Sequence, residues 1–367
     1  MTEQLDGDFL HRYSRHIKID QVGESGQRKL SSARVLVVGA GGLGSPALLY
    51  LAAAGVGTIG IIEFDSIELS NLQRQIIHSE GGVGTSKAAS AAARIAELNS
   101  TTLVEVFDRP ISRENALDVM SGFDLVVDGS DNFATRYLLN DACVLAGKPY
   151  IWGSVLRFDG QVSVFGLPGG PCYRCVYPSP PEPGSVPNCA DAGVFGAICG
   201  VIGSLQVSEA LKLILGVGEV LSGRIAIFDA LSARIEEVSI ARDVHCPMCG
   251  DSPSITELQD YVAFCTGGTT DDTVTRSQLI GLLQARERGD VAFNFVDIRE
   301  RHELIHGQIP GAVNMPLSTF DPEALIGDAI LYCQAGVRSE HLLRELKAQG
   351  FSGIKHYAGG YIDWVSQ

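Results

Sequence analysis

The sequence predicts an α/β protein of two domains, the larger built on a doubly wound parallel sheet. Three observations carry that expectation. An apolar run, a glycine-rich turn, a small-residue helix and a second apolar run follow one another between Arg34 and Ile62. Further buried-strand runs alternate with helical stretches to about Phe165, and a second strand–loop–helix alternation begins after a polar stretch at 251–272. Such alternation reads as crossover-connected parallel strands. At 367 residues the chain is long for one domain and comfortable for two.

Composition narrows the partners. A formal net charge of −15 argues against non-specific nucleic-acid or anionic-membrane binding, which need a basic surface. The beginning, Met1 to Asp6, is acidic and lacks the layout of a signal peptide. The longest apolar stretch, Ala47 to Ile62, is broken by three glycines and is too short to span a bilayer. Nine cysteines, an odd number without a framework spacing, point to a reducing cytoplasm and to metal binding or chemistry.

Taken in order, residues 1–33 are polar and helical, and Arg15 alone reads as part of a solvated face. Val35 to Val38 is a buried strand, followed by the G-x-G-x-x-G turn Gly39-Ala40-Gly41-Gly42-Leu43-Gly44 and a helix over Ser45 to Ala54. The strand Ile59 to Ile62 ends in Glu63-Phe64-Asp65, with Glu63 24 positions after Gly39. This unit brings phosphates to backbone amides at a helix N-terminus and a carboxylate to a ribose. Alone it fits any nucleotide-binding domain, dehydrogenases foremost. Ser70-Asn71-Leu72-Gln73-Arg74-Gln75 changes the reading, because a loop with Asn, Arg and Gln there suits a triphosphate.

Ser86 is placed to cap a helix over Ala88 to Leu98, with Lys87 in its first turn. A lysine there opposes the helix dipole, so either a bound phosphate neutralises it or solvent tolerates it. Thr102 to Phe107 and Phe123 to Asp128 are strands, the second ending in Gly129-Ser130-Asp131-Asn132. Ligands collect at carboxyl ends of such strands, which directs Asp128 and Asp131 to the nucleotide. Asp131 suits magnesium, or else caps the helix carrying Arg136 and Tyr137.

Strands at Pro149 to Trp152 and Gln161 to Phe165 precede Cys172-x-x-Cys175, and Cys246-x-x-Cys249 lies downstream. Four thiolates close a tetrahedral zinc site and leave no open position, so this zinc is structural. The proline-rich loop from Ser179 to Pro187 leads to Cys189, which is either a small buried residue or an accessible thiol. A helix over Ala197 to Leu215 is apolar all round its first half and belongs in a core or a subunit contact.

Beyond the linker, residues 273–367 read as a smaller α/β domain. Phe293 to Val296 and Ala329 to Tyr332 are strands, and Glu340 to Gln349 is an amphipathic helix. Cys333 sits on the strand-to-helix loop, where amides favour an anion, and Arg338 adds a fixed positive charge.

With these residues in hand, 1–250 resembles the MoeB/ThiF branch of ubiquitin-activating-type adenylyltransferases, whose domain is Rossmann-like. The matching elements are Gly39 to Gly44, Ser70 to Arg74, Lys87, Asp131-Asn132 and the paired C-x-x-C. Residues 273–367 resemble a rhodanese domain through Asp297-Ile298-Arg299-Glu300, Gly307 to Ala312, Cys333 to Ser339, and Gly359-Gly360 with Trp364. The resemblance implies that ATP adenylylates a ubiquitin-like sulfur-carrier protein ending in Gly-Gly, and that a Cys333 persulfide turns the adenylate into a thiocarboxylate. The nucleotide set it implies is Gly39, Gly41, Gly42, Gly44, Glu63, Asp65, Ser70, Asn71, Leu72, Gln73, Arg74, Gln75, Lys87, Asp131 and Asn132. Arg15 would join it from a neighbouring subunit, which implies a homodimer. Magnesium on Asp131, a thiosulfate or cysteine-desulfurase persulfide donor, and Cys189 as the thiol that releases product complete the expectation. Two positions depart from the family: Glu63 stands where aspartate is usual, and Gln334 where a basic residue is common. An NAD-dependent oxidoreductase and a non-catalytic scaffold are the competing readings. Both would leave Arg74, Lys87 and Asp131 without a role in phosphate chemistry.

Overall fold

Strand β1 (Arg34–Val38) lies between β2 (Thr58–Ile62) and β4 (Leu125–Asp128), parallel to both, with Val38 opposite Ile62 on one side and Asp128 on the other. The computed structural model describes residues 7–181, 192–266, 272–325, 327–334 and 336–365, in two units that divide after Tyr261. In the first unit the strand order is β3-β2-β1-β4-β5-β6-β7-β8, where β3 is Leu103–Phe107, β5 Tyr150–Leu156, β6 Asp159–Phe165, β7 Arg224–Asp229 and β8 Arg234–Ser239. The sheet is parallel from β3 to β5 and antiparallel from there to β8. The valine- and isoleucine-rich β1 and β2 are buried almost throughout, as strands covered on both faces must be.

Helix α1 (Gly44–Ala54) follows β1 and stops at Gly55, whose φ of 82° suits a left-handed C-cap. Helix α2 (Lys87–Leu98) is capped by Ser86, which accepts from the Ala89 amide as expected. Helix α3 (Phe133–Ala146) follows β4. Its cap is Asn132, accepting from the Thr135 amide, and not Asp131. The extra residue before the helix leaves the Asp131 carboxylate solvent-facing.

Helix α4 (Gly196–Leu215) is the long apolar helix, and within this unit it serves the core. It has the length and composition of a membrane span, yet glycines seat it in the interior. A Cβ at Gly203 would meet the Leu43 carbonyl at 2.6 Å, and one at Gly160 would meet Ile202 at 2.3 Å. Gln206 donates from Nε2 to the carbonyls of Asp128 (2.7 Å) and Ile151 (3.2 Å). The helix thereby holds the end of β4 in place.

A buried polar group ties the cysteine segment to α3. Arg174 donates twice to Asp141 at 2.8 Å, Tyr261 donates its hydroxyl to the same carboxylate at 2.8 Å, and the Tyr173 amide donates to Asn140 at 2.7 Å. Residues 251–261, expected as linker, therefore reach into the first unit as far as Tyr261. Their Ser, Pro and Asp content resembles a linker, but one aromatic side chain with a buried partner anchors them.

The second unit is a five-stranded parallel sheet of order β11-β10-β12-β13-β9: β9 Thr273–Val274, β10 Asn294–Asp297, β11 Val313–Asn314, β12 Ala329–Tyr332, β13 Ile354–Tyr357. Thr275 and Gln278 form a capping box on α5 (Arg276–Glu287). Helix α6 (Val337–Ala348) starts three residues earlier than expected, because Gly336 at φ 84° turns the chain directly into it. Arg338 and Ser339 thus stand in its first turn.

Removing the carboxylate from the buried pair leaves Arg174, almost fully enclosed, without its counter-charge. The Asp141→Ala variant should lose about 3–5 kcal/mol, read as a lower urea midpoint of the first unit.

Candidate active sites on the two units

The first site lies where the strand order reverses, at the carboxyl ends of β1 and β4. Gly39, at φ 94°, opens the turn, and a Cβ there would fall 2.8 Å from the Gly129 carbonyl. A Cβ at Gly44 would lie 1.9 Å from the Gly39 carbonyl, so only glycine fits. Gly41 faces the Gln75 amide, and Gly42 faces Arg74 and the Cys199 thiol. The structure therefore brings the glycine turn, Arg74, Gln75 and the β4 end into contact.

Glu63 is buried, and both of its oxygens accept from backbone amides. Its Oε2 accepts from the Ala40 amide at 2.9 Å, and Oε1 accepts from Phe64 (2.8 Å) and Asp65 (2.9 Å). It ties the turn to the end of β2. Lys87 is not a surface lysine: it is buried, and Nζ donates to Asp65 Oδ2 at 3.0 Å. Asn71 is buried and closes a capping box with Glu68 on the short helix Leu69–Asn71, while Ser70 and Gln73 face solvent and Leu72 is half-buried. Arg74 is steadied by a bond to the Ser70 carbonyl (3.1 Å). Asn132 is occupied as a cap, and Arg15 is exposed on the helix Ser14–Ile17.

Asp128 does not face the nucleotide position as expected. It is fully buried, accepting from the Tyr150 hydroxyl (2.5 Å) and the Ser130 amide (2.8 Å). Burial pushes its carboxyl up, against the pull of Arg136 and these hydrogen bonds. Asp131 is left as the solvent-facing carboxylate of this strand end. Around the turn, Ser45 Oγ and Gln75 Oε1 are buried without a hydrogen-bond partner. Each such group costs about 1–3 kcal/mol unless a ligand or water satisfies it. A phosphate oxygen can accept from the Ser45 hydroxyl, whereas Gln75 Oε1 needs a donor such as a ribose hydroxyl or water.

His78, absent from the sequence reading, also touches the turn. Its Nε2 lies 3.0 Å from the Ala40 carbonyl and its Nδ1 3.1 Å from Ser90 Oγ. Burial, and then the charge of Lys87, hold its pKa below the ordinary value. No motif marked it; a histidine four residues beyond an arginine has no intrinsic meaning.

The four thiols Cys172, Cys175, Cys246 and Cys249 lie within 4.8 Å of one another. Separations of 3.9, 3.6 and 3.3 Å are close to the roughly 3.8 Å edge of a tetrahedron with zinc–sulfur bonds of about 2.3 Å. Hydrogen bonds from Cys172 pull the Cys249 thiol down to about 5, while Cys249 and burial push Cys172 up. The arrangement is compatible with zinc.

In the second unit Cys333 is buried at the start of the loop before α6, with Sγ 3.7 Å from Ser339 Oγ. The Tyr361 amide donates to the Cys333 carbonyl at 2.9 Å. Arg338, expected to add a fixed positive charge, is paired. Its guanidinium donates to both Glu303 oxygens (2.7 and 2.6 Å), a pairing that holds Glu303 below its usual range. The capping box of Glu300 and Glu303 on the short helix Arg301–His306 sets that carboxylate. Gln334 accepts from buried Arg299 at 3.2 Å. Cys189 lies outside the described residues.

The sequence matches the ThiF family over residues 13–248 and the rhodanese-like domain over 281–367. It is 45% identical over 99% of its length to the probable adenylyltransferase/sulfurtransferase MoeZ of Mycobacterium tuberculosis, covering 94% of that protein. It is 51% identical to the sulfur carrier protein adenylyltransferase of Thermus thermophilus, covering 70% of this chain and 96% of that one. Among solved structures, E. coli MccB with MccA-N7isoASN superposes with a TM-score of 0.59 at 25% identity, over 67% of this chain and 78% of that chain.

Proposed function

Since the chain belongs to the ThiF family and carries a rhodanese-like domain beyond it, we propose that it adenylylates the C-terminal glycine of a ubiquitin-like sulfur-carrier protein and then converts that carboxylate to a thiocarboxylate. It is an adenylyltransferase and a sulfurtransferase. The observation that carries the reading is the pairing, in one chain, of a glycine turn flanked by Arg74, Gln75 and Lys87 with a cysteine at a strand-to-helix loop.

In the first step the carrier carboxylate attacks the α-phosphorus of ATP, and pyrophosphate leaves. The protein's work is positioning and charge neutralisation. Turn amides, Ser45 and Gln75 hold phosphate oxygens, Arg74 and Lys87 offset their charge, and Asp65 keeps Lys87 in place. Asp131, with Asn132 beside it, would hold magnesium, which supplies Lewis-acid stabilisation of the phosphates. Glu63 supports the turn and keeps the lone pairs that its backbone bonds leave for a ribose hydroxyl. Arg15, exposed on its helix, is suited to reach a second copy in a homodimer.

In the second step the outer sulfur of a Cys333 persulfide attacks the acyl carbon, and AMP leaves. The resulting acyl disulfide is cleaved by a second thiol, for which Cys189 is the candidate: its sulfur bonds to Cys333 as the thiocarboxylate leaves, and the Cys189–Cys333 disulfide so formed is returned to thiols by a dithiol reductant. The persulfide comes from thiosulfate or from a cysteine-desulfurase persulfide. Zinc in the four-cysteine cluster is structural, and the reduced cysteines suit a cytoplasmic setting.

Three outcomes are expected. The Asp131→Ala variant should lower carrier-dependent ATP–pyrophosphate exchange by on the order of a hundredfold or more, while thiosulfate:cyanide sulfurtransfer survives. Wild-type exchange in that variant would remove Asp131 from the mechanism. The Cys333→Ala variant should keep exchange but yield no carrier thiocarboxylate from thiosulfate, read by intact mass as sulfur replacing oxygen. Metal analysis should find about one zinc per chain, and Cys172→Ser should lower thermal stability and zinc content together; well-folded, zinc-free protein indifferent to chelator would refute the assignment.

A further inference from the structure

Both backbone groups of Ala40, the second residue of the glycine turn, are held by side chains. Its amide donates to Glu63 Oε2 at 2.9 Å, and its carbonyl meets His78 Nε2 at 3.0 Å. A carbonyl only accepts, so Nε2 carries the proton; in the neutral ring Nδ1 then accepts from Ser90 Oγ at 3.1 Å. Burial and the nearby Lys87 charge favour that neutral ring.

The geometry has a directional result. In a trans peptide the C=O and N–H of one plane point to opposite sides. Fixing the Ala40 carbonyl on the imidazole therefore aims the amide of Gly41 away from His78. The same ring reaches Ser90, one helical turn after Lys87 on α2. One side chain thus ties the glycine turn to the helix that supplies the buried lysine.

We propose that His78 is a positioning residue of the nucleotide turn. By holding the Ala40 carbonyl it directs the Gly41 amide to a phosphate oxygen of ATP, and through Ser90 it keeps that amide in register with Lys87. The ring touches neither the substrate nor the reacting atoms. This rests on the reading that the turn binds ATP, and it adds the residue that sets the amide's direction.

The test compares His78→Leu, which removes both ring hydrogen bonds, with His78→Gln, whose Nε2 can donate where the imidazole Nε2 does. Carrier-dependent ATP–pyrophosphate exchange gives KM for ATP and kcat, calorimetry gives ATP affinity without carrier, and thermal melting and thiosulfate:cyanide activity report folding. For His78→Leu, KM and Kd for ATP should rise about tenfold or more, as for loss of a hydrogen bond to a charged ligand, with kcat and KM for carrier nearly unchanged. His78→Gln should return to within about threefold of wild type, since it restores the donor. Unchanged ATP affinity in His78→Leu would overturn the inference, as would a glutamine variant no better than leucine. So would equal losses in both substrates with a lowered melting temperature, the mark of simple collapse. If wild-type protein binds ATP but exchanges no pyrophosphate with any Gly-Gly-ended carrier, the proposed function fails while the calorimetric arm still decides His78.

Discussion

Backbone presses on backbone where the Gly39–Gly44 turn closes against Gly129. An added Cβ at Gly39 would stand 2.8 Å from the Gly129 carbonyl, one at Gly129 2.9 Å from the Val38 carbonyl, and one at Gly44 1.9 Å from the Gly39 carbonyl across the turn itself. That approach brings the ends of β1 and β4 together and leaves Gln75 and Arg74 against the glycines of the turn. Much of the surrounding structure maintains it. Glu63 pins the turn from β2, His78 from the loop before α2, and Gln206 of α4 holds the Asp128 carbonyl on the far side. So many buried polar groups follow from the approach itself: a turn made mostly of glycine is aimed by hydrogen bonds to its peptides.

The second unit solves a similar problem with an ion pair. Arg299 and Asp297 are fully buried, and the Nε–Nη2 edge of the guanidinium donates to both carboxylate oxygens. Tyr332 adds its hydroxyl to Asp297, the Tyr361 ring covers the guanidinium at 3.9 Å, and Asn314 donates to the carbonyls of both residues. Such a pair is favourable only when its remaining hydrogen-bond capacity is met, as here. Its outer edge reaches Gln334 beside Cys333, so the Asp297–Arg299 motif that marked the domain in sequence serves to fix the loop that carries the thiol.

The parts of both sites that sequence reveals are those with a local physical signature. The glycine spacing, the Ser86 cap with Lys87 behind it, and the two C-x-x-C pairs each specify their geometry over a few residues. The structure bears out the cap and gathers the four cysteines. What sequence could not resolve depends on contacts distant in the chain. Asp128 and Asp131 are equivalent on paper, and only Tyr150, 22 residues on, draws the first into the interior. Asn132 takes the cap because helix α3 starts one residue later than an Asp131 cap requires. Arg338 brings a fixed positive charge to the thiol loop, but its partner Glu303 lies 35 residues away and has no local mark in the sequence. His78 carries no signal at all, since its partners lie 38 and 12 residues distant.

The hydroxyl of Tyr261 on Asp141 bears on how such two-part chains are assembled and taken apart. A cut at Gly250, where the last cysteine motif ends, would strip a donor from a carboxylate that has no access to water. The severed piece would keep its sheet and its four thiols but carry an interior charge balanced by Arg174 alone. Separability of the two catalysts is therefore limited by an aromatic residue twelve positions beyond that motif (Cys249 to Tyr261).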